Sequence, residues 1–293
     1  MTWAGAPPTA SLPHPLPMPK RRTIFFISDR TAITAETLGH GLMTQFEHIQ
    51  FHQVTLPFVD TLEKARFAVM QINNAEQKSG VAPIIFSTLI SDDIRQMIAT
   101  GKGVVFDFFD TYMGRLEEEL STESSHTVGR FHGVGNDTVY NFRMDAVNYA
   151  LYNDDGATTK EYAQADIILV GVSRAGKTPT CIYLALQFGI YAANYPLTEE
   201  DLVNKDGNMP HVLVPFRKKL FGLTISPERL HTIRTRRMPD SRYSSLEQCQ
   251  QEVSLAEFLF QYEDIPSINI TMMSVEEIAA TILHECNLRR RVF

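Results

Sequence analysis

Eight consecutive residues, Gly171-Val172-Ser173-Arg174-Ala175-Gly176-Lys177-Thr178, fit the pattern G-x-x-x-x-G-K-[ST], the spacing of a phosphate-binding loop, or P-loop. Two glycines let such a loop curl until successive backbone N–H groups converge on one anion, to which the positive end of the following helix is also attractive. Lys177 supplies an ammonium for the terminal phosphates, and the Thr178 hydroxyl is a ligand for Mg²⁺ bridging their oxygens. Arg174, inside the loop, is placed to clamp a second phosphate. All eight residues are therefore expected to bind nucleotide phosphates, with Lys177 and Thr178 also catalytic and Thr178 the metal ligand. Both side chains are expected to project from the loop mouth toward ligand rather than into the core. The motif by itself does not choose among kinases, GTPases and ATPases.

Phosphoryl transfer also needs a carboxylate to ligate Mg²⁺ or to accept the hydroxyl proton. Asp29 follows the apolar run Thr23-Ile-Phe-Phe-Ile-Ser28, at the end of a strand where α/β sheets gather ligands, although aspartate is also an ordinary helix cap. Asp154 and Asp155 are adjacent in a loop and suit a metal or a turn. Asp107 lies in Val104-Val-Phe-Asp-Phe-Phe109, where a carboxylate among apolar residues needs a partner. Of these, Asp29 and Asp155 are the acids expected to serve catalysis. Arg234, Arg236, Arg237 and Arg242 precede a long helix and read first as a solvated basic face, second as a grip on phosphate or an acidic partner surface. His48 and His52 have i, i+4 spacing but straddle a strand start, so no metal pair is expected there.

The elements that must carry these residues follow from hydrophobic periodicity. Strand-like runs at 23–28, 51–59, 83–89 and 104–109 alternate with helical patterns, the first presenting Ala35, Leu38, Leu42 and Phe46 on one face. Such alternation predicts an α/β fold: a β/α N-terminal region with a mostly parallel sheet, then a P-loop-containing α/β region. Residues 121–140 are rich in Ser, Thr, Gly and Asn, so a junction is expected there or shortly after. The expected division is a Pro-rich disordered tail at 1–22, an N-terminal α/β domain at 23–150 and a nucleotide-binding domain at 151–293. In the second region Asp166-Ile-Ile-Leu-Val170 is a buried strand, and the helix after the loop carries Cys181, Leu184, Ala185 and Phe188 on one face and stops at Gly189. Ser245 to Gln248 and Ser274 to Glu277 have the capping-box pattern. No internal repeat is visible.

Composition narrows the function classes. The chain has 293 residues, 44% hydrophobic and 21% charged, within the range of folded domains and enough for two cores. Lys plus Arg is 27 against Asp plus Glu 34, a net charge of −7, so no general drive toward nucleic acid or anionic lipid exists. No run is long enough to span a membrane. The prolines at 7, 8, 13, 15, 17 and 19 interrupt any signal-peptide core, so the cytoplasm is the expected compartment. Cys181, Cys249 and Cys286 are odd in number and far apart, which suggests neither disulfides nor zinc.

The loop's surroundings are more specific than the loop. Gly171 through Thr180, Tyr183-Leu-Ala185 and Ala193-Asn-Tyr-Pro196 resemble the bacterial phosphoenolpyruvate synthase regulatory proteins, relatives of the pyruvate, phosphate dikinase regulators. Further similar segments are Ile27-Ser-Asp29 with Thr31 to Glu36, Leu56-Pro-Phe-Val59, Asp154-Asp-Gly156, Lys219 to Thr224, Pro227 to Leu230 and Ser241-Arg-Tyr243. Arg30 departs from the small residue expected after Ser-Asp. The resemblance implies a bifunctional enzyme whose protein partner is phosphoenolpyruvate synthase. One activity phosphorylates a threonine of the synthase with ADP as donor, and the other removes that phosphate with inorganic phosphate, forming pyrophosphate. Mg²⁺ is the expected cofactor, and a homodimer is one assembly left open. Two alternatives stand beside it: an ATP-dependent small-molecule kinase on the same loop, and a non-enzymatic ADP-sensing protein.

Overall fold

The structure, a computed structural model, describes residues 20–125, 137–156, 159–203 and 209–291. Residues 1–19 of the expected tail lie outside them. The chain divides into two units, 1–133 and 134–293.

The first unit runs β1 (Lys20–Ile27), α1 (Ile33–Met43), β2 (Ile49–Leu56), α2 (Leu62–Ser79), β3 (Ile84–Ser87), α3 (Asp92–Ala99), β4 (Val104–Asp107) and α4 (Phe108–Leu120). Its four strands are all parallel, in the order β2-β1-β3-β4, with Ile27 opposite both Leu56 and Ser87. Because side chains alternate along a strand, β1 feeds two cores. Phe25 and Ile27 pack with Ala65, Ala68 and Ile72 of α2 and Ile94 and Ile98 of α3, while Ile24 and Phe26 pack with Ala35 and Phe86.

Three sequence expectations change here. Strand β1 begins at Lys20, so 20–22 belong to the sheet, paired with Ile49 to Phe51; backbone pairing extends the strand through charged residues that side-chain character had assigned to the tail. Helix α1 buries Ala35 and Gly39, whereas Leu38, Leu42 and Phe46 are about half exposed. The cause is close approach: a Cβ on Gly39 would lie 2.5 Å from the Phe26 ring and 2.6 Å from that of Phe86, so the helix meets the sheet through its smallest residue. Third, the run 104–109 is strand only to Asp107, whose carboxylate accepts the N–H groups of Phe109 and Asp110 (3.0 and 2.9 Å) and opens α4. Asp107 also accepts the Ser87 hydroxyl at 2.9 Å, which makes it a satisfied structural acid.

The second unit contains α5 (Asp137–Tyr152), β5 (Ile167–Val172), α6 (Lys177–Phe188), β6 (Ala192–Leu197), α7 (Glu199–Val203), β7 (Leu220–Thr224), α8 (Pro227–Arg237), α9 (Leu246–Tyr262), β8 (Ser267–Asn269) and α10 (Val275–Glu285). Its strands are again all parallel, ordered β6-β5-β7-β8. The two sheets thus share one topology although no sequence repeat announces it. All six residues of β5 are buried, as a central parallel strand covered on both faces requires. Ala146, Tyr149 and Ala150 of α5 lie in this unit's core, whereas a junction at 150/151 would assign that helix to the first region. Ser274 and Glu277 form the full capping box at α10; Ser245 caps α9 through the Gln248 N–H alone.

Strand β5 leads directly into the glycine-rich loop, and the first glycine serves the sheet as much as the loop. A Cβ on Gly171 would meet the Leu223 carbonyl oxygen of β7 at 2.4 Å. Gly171→Ala is therefore expected to destabilise the chain by roughly 1–3 kcal/mol through backbone displacement. Denaturant unfolding checks this, and an unchanged midpoint would show that the strands have room to spare.

Candidate functional site

The loop from Gly171 to Thr178 joins the carboxyl end of β5 to the start of α6. Since β6 lies on one side of β5 and β7 on the other, this is the point where strand order reverses and the crevice of a parallel sheet opens. Two residues bend the loop into left-handed backbone, Arg174 at φ 77° and Gly176 at φ 67°. Glycine adopts this freely; a non-glycine residue held there costs about 1–3 kcal/mol. Ala175 N–H bonds the Val172 carbonyl at 3.2 Å. The N–H groups of Arg174, Gly176, Lys177 and Thr178 have no acceptor among the described residues. Left-handed loop geometry followed by the positive end of a 12-residue helix makes this a nest suited to an anion.

Lys177 does not project from the mouth as the motif suggests. It is only 4% exposed, and its ammonium donates to the carbonyls of Gly171 and Val172 at 2.9 Å each, tying the start of the loop to its end. Burial lowers its pKa from the usual lysine range to about 8, opposed by the nearby carboxylates of Asp155 and Asp154. Thr178 is half-buried and donates its hydroxyl to Asp154 Oδ1 at 2.7 Å.

Asp154 and Asp155 reach the loop from a separate turn, Asp154–Gly156. Asn153 anchors it, donating both its backbone and side-chain N–H groups to the Tyr149 carbonyl at 3.0 Å. Asp155 and Gly156 are left-handed, at φ 50° and 67°. Asn194, wholly buried in β6, grips the turn from the other side: its amide donates to Asp154 Oδ1 at 2.5 Å, and its carbonyl oxygen accepts the Asp155 N–H at 3.1 Å. The Tyr162 hydroxyl holds the Asn194 backbone carbonyl at 2.9 Å. Asp154 is thus fixed against Thr178, while Asp155 stays exposed. Asn194 was missed as a site residue. Its signal was an amide within the strand-like run Ala192-Ala-Asn-Tyr-Pro-Leu197, where a polar group must find partners.

The other predicted residues divide between the two units. Asp29 sits in the first unit at the end of β1, 4% exposed, where burial raises its pKa; its carboxylate accepts the Ile90 N–H at 3.2 Å and so joins two loops of that unit. Arg30 needs no special backbone, since the left-handed residue of that loop is Ala32. The basic cluster divides: Arg236, Arg237 and Arg242 are exposed, with Arg242 paired to Glu199 at 2.6 Å, but Arg234 is completely buried. Side-chain charge suggested a solvated residue; an inward position on α8 and a carboxylate partner, Glu252, overrule it. No group of three or more His, Cys, Asp or Glu among the described residues is arranged to hold a metal, and no helix there is long and apolar enough to cross a membrane.

The kinase/pyrophosphorylase family pattern matches residues 24–283. A protein of Alkalilimnicola ehrlichii is 57% identical over 93% of this chain and 98% of its own length. One from Halorhodospira halophila is 53% identical over 92% and 98%, and one from Pseudomonas savastanoi pv. phaseolicola 55% over 92% and 99%. All three are named for regulation of phosphoenolpyruvate synthase. On a match that spans both units and the loop between β5 and α6, the chain belongs to the kinase/pyrophosphorylase family.

Proposed function

We propose that this protein transfers the β-phosphoryl group of ADP to a threonine of phosphoenolpyruvate synthase, and removes it again by transfer to inorganic phosphate. The observation that carries the reading is the convergence of an anion nest, Lys177, and the Thr178–Asp154 pair at one end of the second sheet. The target enzyme is taken from the names of the relatives. In the forward reaction the threonine oxygen forms a bond to the β-phosphorus, the bond between that phosphorus and the α,β-bridging oxygen breaks, AMP leaves, and the hydroxyl proton is given up. In the second, a phosphate oxygen forms a bond to the phosphothreonine phosphorus, the bond between that phosphorus and the threonine oxygen breaks, pyrophosphate leaves, and the threonine oxygen recovers a proton.

The residues divide the work by position. Loop N–H groups and the Lys177 ammonium neutralise phosphate oxygens, the dominant need in phosphoryl transfer. Asp155, exposed beside Lys177, is the group we assign to take and return the threonine proton. Asp154 and Thr178 present a carboxylate and a hydroxyl 2.7 Å apart, hard oxygen donors that fit Mg²⁺ once nucleotide phosphates complete its shell. When bound, Mg²⁺ would supply further charge neutralisation. Asp29 is given no step; its carboxylate accepts the Ile90 N–H within the first unit.

The test uses the purified protein with phosphoenolpyruvate synthase, comparing β-labelled ADP with γ-labelled ATP. Label should pass from ADP to a threonine of the synthase, and added phosphate should release it as pyrophosphate. Transfer to a metabolite without the synthase would establish the small-molecule kinase instead, and ADP binding without turnover the sensor. Reversing the exposed charges of Arg236 and Arg237 to Glu should weaken transfer to the protein while leaving ADP affinity unchanged, because surface charge steers a large acidic partner. Transfer indifferent to both reversal and salt would sink that docking role alone.

A further inference from the structure

Arg234 is the largest fully buried side chain of the described residues, an expensive place for a charge, and its bonds converge on the phosphate loop. Nε and Nη2 donate to the Ser173 carbonyl at 3.4 and 3.1 Å, and Nη1 donates to the Tyr243 carbonyl at 3.1 Å. The guanidinium stacks on the Tyr243 ring with 4.1 Å from carbon to centroid. Nη2 also meets Glu252 at 2.6 Å, and Gln248 holds the other oxygen of that carboxylate at 3.0 Å. Tyr243 completes the enclosure, its hydroxyl 2.9 Å from Ser173 Oγ.

We propose that Arg234 is a positioning residue that sets the orientation of the Ser173–Arg174 peptide and thereby aims the Arg174 N–H at a bound phosphate. The argument is one of peptide geometry. The described backbone has no cis bond, and in a planar trans peptide the N–H points opposite to the C=O. With the Ser173 carbonyl drawn back onto Arg234, the Arg174 N–H faces the other way, and it has no acceptor among the described residues. Arg174 is the loop's left-handed non-glycine residue, a conformation that persists only where its surroundings impose it. Arg234 is what imposes it, from α8, with α9 supplying the counter-charge. A planar fork of donors can hold one carbonyl with two N–H groups and still reach a carboxylate; an ammonium cannot.

This rests on the proposed nucleotide chemistry but can fail separately, because it concerns binding of ADP rather than transfer. Amide NMR of the wild-type protein titrated with ADP should move the Arg174 N–H signal along with those of Gly176 and Lys177. An Arg174 amide that stays silent while its neighbours move would overturn the proposal without any variant. The paired change Arg234→Met with Glu252→Gln leaves no buried charge unmatched and keeps an acceptor for Gln248. With near-native circular dichroism it should bind ADP about 10- to 100-fold more weakly, the worth of a charge-assisted hydrogen bond, with no Arg174 response. Arg234→Lys, retaining charge but not the fork, should fail to restore affinity. Folded variants that bind ADP within about threefold of wild type would refute the role of Arg234 and leave the loop's function standing. Wild-type protein that binds ADP with the Arg174 response but transfers no phosphoryl group to the synthase would do the reverse.

Discussion

Lys177→Ala is expected to lower phosphoryl transfer by about 10³-fold, the effect of removing a principal charge stabiliser from a transition state. Unlike an exposed lysine, it should also weaken the fold. Its ammonium donates to the carbonyls of Gly171 and Val172; Val172 keeps the Ala175 N–H, but losing these buried hydrogen bonds costs roughly 1–3 kcal/mol. Lys177→Met, which keeps the stem and loses the charge and the donors, should recover packing but neither those hydrogen bonds nor activity. Steady-state kinetics beside thermal unfolding separate the two effects; transfer within about tenfold of wild type in folded protein would remove the loop from the mechanism. The same residue predicts a pH dependence. With its pKa at about 8, Lys177 loses its charge above that pH in the ligand-free protein, so affinity for ADP should fall there. Stability should move oppositely. Between about 8 and the usual lysine pKa the unfolded chain binds the proton that the folded chain has released, so stability rises with pH across that interval.

Asp154→Asn should reduce transfer by about 10²- to 10³-fold and raise the Mg²⁺ concentration needed for half-maximal rate, since a neutral amide replaces the carboxylate that accepts from Thr178 and Asn194. Asp155→Asn should instead leave the Mg²⁺ requirement near wild type while lowering the rate of transfer, as loss of a proton acceptor does. The contrast follows from position alone: Asp154 is half-buried and fixed by two donors, while Asp155 is exposed. Metal titrations of both variants decide it. An unchanged Mg²⁺ requirement in Asp154→Asn, or an altered one in Asp155→Asn, would reverse the assignment of the two acids.

Local order was legible where one segment carries its own signal. The loop's spacing from Gly171 to Thr178, the apolar run of β5 and the stop at Gly189 each lie within a dozen residues, and the structure keeps all three. Alternating strands and helices likewise specified parallel sheets, because crossover helices must return each strand in the same direction. The limits are equally local. Helix α1 looked amphipathic through Leu38 and Leu42, yet Gly39 decides its face, because only the absence of a side chain admits the rings of Phe26 and Phe86.

What the tertiary structure alone decided is which distant residues share the site. Asp154 meets Thr178 across 24 positions, Asn194 meets Asp154 across 40, and Arg234 meets Ser173 across 61. None of these pairs leaves a periodicity or a spacing in the chain, since each depends on where β6, α8 and the turn after α5 come to rest around β5. A backbone rotation, the left-handed φ of 50° at Asp155, sends the adjacent carboxylates to different surroundings, Asp154 against Thr178 and Asp155 to solvent. Arg234 shows the same limit for charge. Its position beside Arg236 and Arg237 suggested solvent, but one helix carries all three at different angles, and only packing against α9 determines which side chain is turned inward and neutralised by Glu252.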